Sequence, residues 1–211
     1  MIIAGIDEAG KGSVFGSLWI ACYVIDDSCD IQAGDSKKYS KKKRESMYHN
    51  LVEQAIEVQV YEITATELNT MHENGMTLIE MEQWAMAMLI NSLQSKPEKI
   101  YIDAADVNEQ RFGFHISNSL NFQCNIISEH NADNIFPVVG AASIIAKVSR
   151  DNHIHELKQF YDAEIGSGYP SDKKTRNWLL EYYNRLNSFP KETRLFWNTV
   201  NKIIQESNTS K

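Results

Sequence analysis

The chain has 211 residues, 43% of them hydrophobic, which is enough for one well-filled core. Its 21 basic and 28 acidic residues give a formal charge of −7, so overall positive charge is excluded as the basis of any nucleic-acid binding. Its three cysteines are odd in number and lack metal-ligand spacing, which favours free thiols in a reducing compartment over a disulfide framework.

No linker, internal repeat or membrane-length apolar run interrupts the sequence. We expect no signal peptide, because the first predicted strand begins at once. We therefore expect a single domain over 1–211, with about 172–205 forming a helical C-terminal extension. We also expect a cytoplasmic monomer without a membrane partner.

The first predicted element is a short buried strand over 2–6, and Asp7 and Glu8 follow it in the glycine-rich sequence GIDEAGKG. Neighbouring strand residues face opposite sides of a sheet, so both carboxylates serve one site only where the strand ends or turns. The glycines let the backbone approach a ligand closely. Taken alone, these eight residues fit a metal site and a solvated hairpin equally well.

Strands and one helix are predicted over the next part of the chain. Residues 15–25 indicate strands of an antiparallel hairpin, and residues 58–63 indicate a further strand. A helix over 77–93 is predicted to bury a face that includes Met81, Trp84 and Met88.

The segment from Gly34 to Arg44 is strongly basic and has two interpretations. Its cations could displace counterions from phosphates, and such binding weakens as salt rises. Alternatively, its second half is a solvated helix face that begins at the N-cap Ser40, with apolar residues behind it: Met47, Leu51 and Ile56.

A second apolar strand, over 99–102, runs straight into Asp103. If it lies parallel and adjacent to the first strand, the carboxyl ends of both share an edge, where open α/β sheets place ligands. Carboxylates that converge there repel one another unless a divalent cation neutralises them, and their hard oxygens suit Mg²⁺ or Mn²⁺.

The last part of the chain is predicted to be helical, over 138–160, 172–186 and roughly 194–205. His153 and His155 are two apart on the first of these helices, so they diverge rather than chelate a metal. The order of elements predicts an α/β fold that is closed by helices.

Six sequence blocks resemble, in their order, those of the type 2 ribonucleases H: GIDEAGKG, GDSKKYSKKKR, YIDAADVNEQRFG, EHNAD, AASIIAKVSRD and GSGYPSDKKTR. The chain resembles ribonuclease HII, particularly its archaeal and eukaryote-like branch, from about Ile3 to Val200. The resemblance implies a ribonuclease H-like fold, with a mixed central sheet flanked by helices and a helical C-terminal portion. It also implies an endonuclease with two Mg²⁺ or Mn²⁺ ions. Such an enzyme hydrolyses the RNA strand of RNA/DNA hybrids and cuts 5′ of single ribonucleotides in duplex DNA, leaving 3′-hydroxyl and 5′-phosphate ends.

Carried over residue by residue, the catalytic metal ligands of that family fall on Asp7, Glu8, Asp103 and Asp133. Other acids lie close to these in the sequence. For them we expect helix-end, supporting or surface roles: Asp106, Glu129 and Asp151.

The resemblance also implies how the substrate is recognised. Gly10, Lys11 and Gly12 match a Gly-Arg-Gly motif whose backbone contacts the 2′-hydroxyl, the group that distinguishes RNA from DNA. Tyr169 matches a tyrosine that packs on the sugar of the following deoxynucleotide. The lysine departs from the usual arginine and loses its planar fork toward a phosphate, and Ser17 stands where a proline is common.

Five further residues are implied as substrate-binding. Lys37 and Lys38 are expected to contact phosphates, whereas three residues of the AASIIAKVSRD block are expected near the substrate backbone: Ser143, Lys147 and Arg150. Helix packing explains these three nearly as well.

Two other classes of function stay open. A DNA-directed nuclease or resolvase on the same fold would keep the four acids without needing the glycine turn and Tyr169. A hybrid-binding protein would bind without cutting. For the ribonuclease that the resemblance implies, we expect a nucleic-acid partner, either an RNA/DNA hybrid or a DNA duplex with an embedded ribonucleotide. The polar tail over 205–211 shows no sliding-clamp-binding pattern.

Overall fold

The structure is a computed structural model that describes residues 1–33 and 36–209, without the side chain of Lys37. Five strands in these residues form one sheet, in the order β3-β2-β1-β4-β5. Strand β1 is antiparallel to β2 and parallel to β4, which in turn is parallel to β5. The strands are Ile2–Ala9 (β1), Leu18–Asp26 (β2), Glu57–Ile63 (β3), Lys99–Asp103 (β4) and Asn125–Glu129 (β5).

Eight α-helices lie in the same described residues, together with a short 3₁₀ helix at Ser36–Lys38. Thr64 and Thr77 each begin a helix with a capping box, in which a threonine and a glutamate satisfy each other's backbone N–H groups. The helices are Lys41–Gln54 (α1), Ala65–Glu73 (α2), Leu78–Ser92 (α3), Glu109–Asn118 (α4), Ala132–Ile135 (α5), Pro137–Phe160 (α6), Lys173–Leu186 (α7) and Asn198–Thr209 (α8).

The chain divides into two compact units, and neither is continuous in sequence. Unit 1 comprises Met1–Ala9, Trp19–Glu62 and Thr77–Ser149, and therefore holds nearly all of the sheet. Unit 2 comprises Gly10–Leu18, Ile63–Met76 and Arg150–Lys211. The expectation of a single domain stays a prediction.

In unit 1, the start of α6 packs tightly against β1. A Cβ atom on Gly5 would lie 2.2 Å from the carbonyl oxygen of Val138, so only glycine allows the strand and helix to approach this closely. The next turns of α6 are rich in buried alanine and isoleucine, and they share a core with β1, β2 and Leu51 of α1.

Unit 2 has its own apolar core, built around the segment that follows β1. Val14 and Phe15 of that segment pack against α6, α7 and α8. The ring centroids of Phe15 and Trp178 are 5.0 Å apart in an edge-to-face arrangement. This core holds the segment that carries the Gly10–Gly12 turn.

Most predicted elements are confirmed, including the mixed sheet flanked by helices, the parallel pairing of β1 with β4 and the Ser40 cap of α1. Three details were wrong. Trp84 and Met88 are 38% and 48% exposed, Ile56 lies beyond α1 and is exposed, and the last helix begins at Asn198. Of the helices in the described residues, none is long and apolar enough to cross a membrane.

Candidate active site

Two of the predicted ligands lie at the same end of neighbouring parallel strands. Ile6 of β1 pairs with Ile102 of β4, and Asp7 and Asp103 each follow that rung by one residue. The first strand does not end before its acids, because Asp7 and Glu8 still pair with Ala21 and Ile20 of β2. The two acids therefore lie within β1, near its C-terminal end, and not in the loop that follows the strand.

Asp7 lies almost completely out of solvent, at 5% exposure. Burial is the largest cause that raises the pKa of its carboxyl well above the ordinary value, and the negative charges of Glu8 and then Asp103 raise it further. A hydrogen bond from Ser143 acts in the opposite direction. The Ser143 hydroxyl also lies 2.8 Å from that of Ser36, so α6 and the 3₁₀ helix both support this carboxylate.

Glu8 supplies a second carboxylate next to that of Asp7. The backbone N–H of Glu8 donates a 2.7 Å hydrogen bond to Asp7 Oδ1. Its side-chain oxygen Oε2 is buried and has no hydrogen-bond partner among the described residues. A buried carboxylate oxygen in this state is costly unless something else binds it.

The other two acids are connected through the short helix α5. Asp103 Oδ1 accepts a 2.8 Å hydrogen bond from the backbone N–H of Ala132, the residue before Asp133. Asp133 is 3% exposed and accepts a 3.1 Å hydrogen bond from the Asn134 amide. Asn131, before the helix, adopts a left-handed backbone with φ 54°, which turns the chain sharply after β5.

These residues fit divalent cations by the chemistry of their donors. A buried Asp7 carboxyl whose pKa is raised by burial and by the charges of Glu8 and Asp103, together with an unpartnered buried oxygen on Glu8, is the setting that a hard cation neutralises. Within the described residues, no three His, Cys, Asp or Glu side chains already stand in a metal-holding arrangement. The assignment of Asp7, Glu8, Asp103 and Asp133 as ligands therefore stays a prediction.

The neighbouring acids have other contacts. Asp106 accepts two hydrogen bonds, of 2.7 and 2.8 Å, from the guanidinium of Arg111 at the start of α4. That hydrogen bonding, chiefly from Arg111, lowers the pKa of Asp106. Asp151 forms an ion pair with Arg150 at 3.4 Å. These contacts are of the helix-end and supporting kinds expected from the sequence. Glu129 contributes its backbone carbonyl to a hydrogen bond from Ala104.

The Gly10–Gly12 turn lies in unit 2 and is closed by a 3.1 Å hydrogen bond from Ser13 N–H to the Gly10 carbonyl. Gly10 has φ 90°, a backbone conformation that favours glycine. Gly12 is exposed, and a Cβ atom on it would lie 3.8 Å from the ring of Tyr169. The structure therefore brings together, within unit 2, the two groups predicted to recognise the ribose.

The predicted phosphate contacts differ in accessibility. Lys38 is exposed and donates a 3.0 Å hydrogen bond to Asn134, next to Asp133. The side chain of Lys37 lies outside the described part of the structure. Lys147 is partly exposed, whereas Arg150 is 3% exposed and is occupied within the protein. Substrate contact by these residues stays a prediction.

Two buried residues near these groups carried no sequence signal that singled them out. Ser36 bonds Ser143 beside Asp7, and Arg194 bonds backbone carbonyls at both ends of the Gly10–Gly16 segment. All three hydrogen bonds join residues more than a hundred positions apart, with separations of 107, 178 and 183. Only the folded chain reveals them.

A mixed five-stranded sheet, with acids at the shared end of two parallel strands, defines a ribonuclease H-like nuclease fold. The family model described as Ribonuclease HII matches residues 4–200, and the chain belongs to that family. The family has ribonuclease H activity on RNA/DNA hybrids and depends on metal ions.

Individual relatives agree with this assignment. Ribonuclease HII of Thermococcus kodakarensis is 41% identical over 216 residues, covering 100% of this chain and 93% of the relative. The crystal structure of ribonuclease H2 from Pyrococcus horikoshii OT3 has a TM-score of 0.92 at 41% identity and covers 99% of each chain. The structure of the PCNA:RNase HII complex from Archaeoglobus fulgidus has a TM-score of 0.84 at 32% identity, covering 94% of this chain and 96% of the other.

Proposed function

We propose that this protein cuts on the 5′ side of single ribonucleotides embedded in duplex DNA, as well as within the RNA strand of hybrids, and leaves 3′-hydroxyl and 5′-phosphate ends. The observation that carries the proposal is the convergence of Asp7, Glu8 and Asp103 at the same end of two parallel strands, where burial raises the pKa of the Asp7 carboxyl and the charges of Glu8 and Asp103 raise it further. Such a group of carboxylates suits cations and phosphodiester chemistry better than it suits structural stability.

In the proposed site, Asp7, Glu8, Asp103 and Asp133 hold two divalent cations, either Mg²⁺ or Mn²⁺. When bound, such cations lower the pKa of a water molecule and stabilise negative charge on the attacking and leaving oxygens. The protein's own contribution is to hold the carboxylates in place. Ser143 hydrogen-bonds to Asp7, and the Ala132 N–H fixes Asp103.

The proposed recognition of RNA depends on the backbone of Gly10, Lys11 and Gly12. Backbone groups in a tight turn can hydrogen-bond a 2′-hydroxyl, which deoxyribose lacks. Tyr169 would pack on the sugar of the following deoxynucleotide. Support comes from the position of Tyr169 beside Gly12 within unit 2, where a Cβ atom on Gly12 would lie 3.8 Å from the tyrosine ring.

The negative net charge requires that the phosphate contacts be local. Lys38 is the best supported of them, because it is exposed and hydrogen-bonded to the neighbour of Asp133. Lys37 is proposed as a phosphate contact by resemblance, and Ser143, Lys147 and Arg150 are proposed by resemblance to lie near the substrate backbone. Because phosphate binding releases counterions, we expect KM to rise with salt.

Three further predictions concern binding to a sliding clamp, the oligomeric state and the location of the protein. The A. fulgidus relative is described in a complex with PCNA, so the absence of a clamp-binding pattern in this chain's tail stays a prediction. The same holds for the monomeric state and for a cytoplasmic location. Size-exclusion chromatography with and without a purified sliding clamp tests both clamp binding and the monomeric state.

The experiment for the proposed function is a gel assay of the purified protein with Mg²⁺, Mn²⁺ or EDTA. Three duplexes are compared: DNA with one internal ribonucleotide, all-DNA of the same sequence, and a long RNA/DNA hybrid. We expect metal-dependent cutting just 5′ of the single ribonucleotide and within the hybrid, with all-DNA left intact.

The other outcomes separate the alternatives. Cutting of all-DNA would indicate a DNA-directed nuclease, and binding without any cutting would indicate a hybrid-binding protein. Cutting of the long hybrid alone would mean that the Gly10–Gly12 turn and Tyr169 do not recognise the junction. Products with 2′,3′-cyclic phosphate ends would exclude water as the nucleophile.

A further inference from the structure

Two arginines in unit 2 are almost completely removed from solvent. Arg194 is 0% exposed and is the largest fully buried side chain in the described residues, and Arg150 is 3% exposed. Burying a guanidinium is costly unless its N–H groups are well bonded. The acceptors that the two arginines use therefore indicate what their burial achieves.

Arg194 bonds to the backbone of the segment that begins with the glycine turn. Its Nη1 donates a 2.8 Å hydrogen bond to the carbonyl of Lys11, and its Nε donates a 3.0 Å hydrogen bond to the carbonyl of Gly16. Its own backbone N–H donates to the carbonyl of Val14 at 2.9 Å. The guanidinium of Arg194 thus holds two carbonyl groups of this segment, and the backbone N–H of Arg194 holds a third.

The bond to the Lys11 carbonyl also determines where the next N–H points. The described residues contain no cis peptide bond, and in a trans peptide the C=O and the following N–H point in opposite directions from one plane. Arg194 holds the Lys11 oxygen toward the buried side. The Gly12 N–H is therefore directed away from Arg194, at a residue that is itself exposed.

Arg150 connects the other end of the turn to the tyrosine. Its Nη2 donates to the Ser13 hydroxyl at 3.2 Å and also to the carbonyl of Ser167. The guanidinium carbon lies 4.4 Å from the centroid of the Tyr169 ring, within the range of a cation–π contact. The same side chain thus supports the residue after the turn and the ring that faces it.

We infer that Arg150 and Arg194 are positioning residues for recognition of the ribonucleotide: Arg194 orients the Lys11–Gly12 peptide, and Arg150 sets the Tyr169 ring against the turn. The inference rests on the proposed function. Lysine cannot replace either residue, because its single ammonium lacks the planar fork that reaches two fixed acceptors and stacks on a ring.

The test compares R194K and R150K with the wild-type protein. We measure kcat/KM on the single-ribonucleotide duplex and on the long hybrid. We also measure binding by fluorescence anisotropy in EDTA to the single-ribonucleotide duplex and its all-DNA counterpart. We expect both variants to lose binding preference for the ribonucleotide duplex over all-DNA by about tenfold or more. We expect R150K also to lower, by a similar factor, the ratio of kcat/KM on the ribonucleotide duplex to kcat/KM on the hybrid, because only the first substrate has the deoxynucleotide that Tyr169 would contact.

Two control variants separate positioning from loss of stability. I203A removes packing from the core of unit 2 without touching either arginine, and R111K alters the exposed partner of Asp106 in unit 1. We expect I203A to lower the melting temperature and leave both ratios unchanged, and R111K to leave both ratios unchanged. All assays are run below the lowest melting midpoint, and R150K gives an independent test if R194K does not fold.

Any of three results would overturn the inference: an unchanged binding preference in R194K and R150K, equal kcat/KM losses on both substrates in R150K, or a fall in the ratios of I203A as large as theirs. A wild-type protein that cuts the hybrid but shows no preference for the ribonucleotide duplex would refute the proposed junction recognition itself. That result appears before any variant is made, so the two failures are distinguishable.

Discussion

The backbone N–H of Ala132 donates a 2.8 Å hydrogen bond to Oδ1 of Asp103. This bond connects the end of β4 to the start of α5, and so holds the third acid close in the structure to the residue that precedes the fourth. The bond needs only an acceptor oxygen, which asparagine also has, whereas a cation needs the charge. Substitution of Asp103 by asparagine should therefore keep the hydrogen bond from Ala132 and remove the charge that a cation needs.

We predict that D103N loses cleavage by roughly a thousandfold or more, because several kcal/mol of charge stabilisation depend on the bound cations. Its melting temperature in EDTA should equal or exceed that of the wild-type protein, since the charge of Asp103 acts on the buried Asp7 carboxylate. Single-turnover rates and thermal melts measure the two effects.

The matched control is D106N, which lies three residues further along. Asp106 binds the Arg111 guanidinium through both oxygens, so we expect D106N to lower the melting temperature and keep most of the cleavage rate. The opposite pattern, with D106N inactive and D103N active, would mean that the ligand assignment is wrong at both positions.

The sequence predicted some residues of this site from local patterns, and others only through the resemblance to a family. Asp7 and Asp103 could be placed together because two apolar strands end in acids, and parallel pairing brings such ends to one edge. Asp133 lies on a four-residue helix with no periodic pattern, so only the family resemblance identified it. Trp84 was predicted to be buried from helical spacing alone, which cannot show that a helix face lacks a covering element.

Cation binding should stabilise the folded protein. Because the cations would neutralise carboxylates that are crowded in the apo protein, we expect the melting temperature to rise with Mg²⁺ or Mn²⁺. At a hundred times Kd, one bound ion is worth about 2.7 kcal/mol. Differential scanning fluorimetry measures this against NaCl of equal ionic strength. D103N should shift much less, and an equal shift in D103N would contradict binding at Asp103.

Substitutions at two glycines of the turn should have different effects. A methyl group at Gly12 makes an ordinary contact, 3.8 Å from the Tyr169 ring, and position 12 does not have a positive φ. We therefore expect G12A to keep its melting temperature. Cleavage at a single ribonucleotide should still fall about tenfold to a hundredfold, because the methyl group would displace the sugar.

At Gly10, with φ 90° and the carbonyl oxygen of Ser17 only 3.0 Å from a Cβ atom, alanine should instead cost about 1 kcal/mol of stability or more. G75A is the matched control, because it has φ 88° and nothing within 4 Å of its Cβ position. It should lose stability and keep its preference for ribonucleotides. A G12A protein that discriminates as well as the wild type would remove the turn from the recognition of the substrate.

Glu57 gives a pH dependence that does not involve the active site. Its carboxylate accepts hydrogen bonds of 3.0 and 2.6 Å from the backbone and hydroxyl of Ser95, and others from Gln94 and Gln59. Burial acts to raise the pKa of Glu57 from 4.5, but the hydrogen bonds outweigh it and lower the pKa to about 2. The charged form is thus favoured in the folded state.

Because its pKa is lowered on folding, Glu57 contributes its full stabilisation above about pH 4.5 and loses it as the pH falls toward 2. We expect E57Q to reduce the free energy of unfolding at pH 7 by about 1 kcal/mol, a value limited by solvent screening at this partly exposed site. Urea unfolding across this pH range should show the difference from the wild type shrinking as the pH falls. E53Q, on the exposed face of α1, should show no such trend. A difference between E57Q and the wild type that stayed constant down to pH 2 would mean that the hydrogen bonds at Glu57 do not depend on its charge.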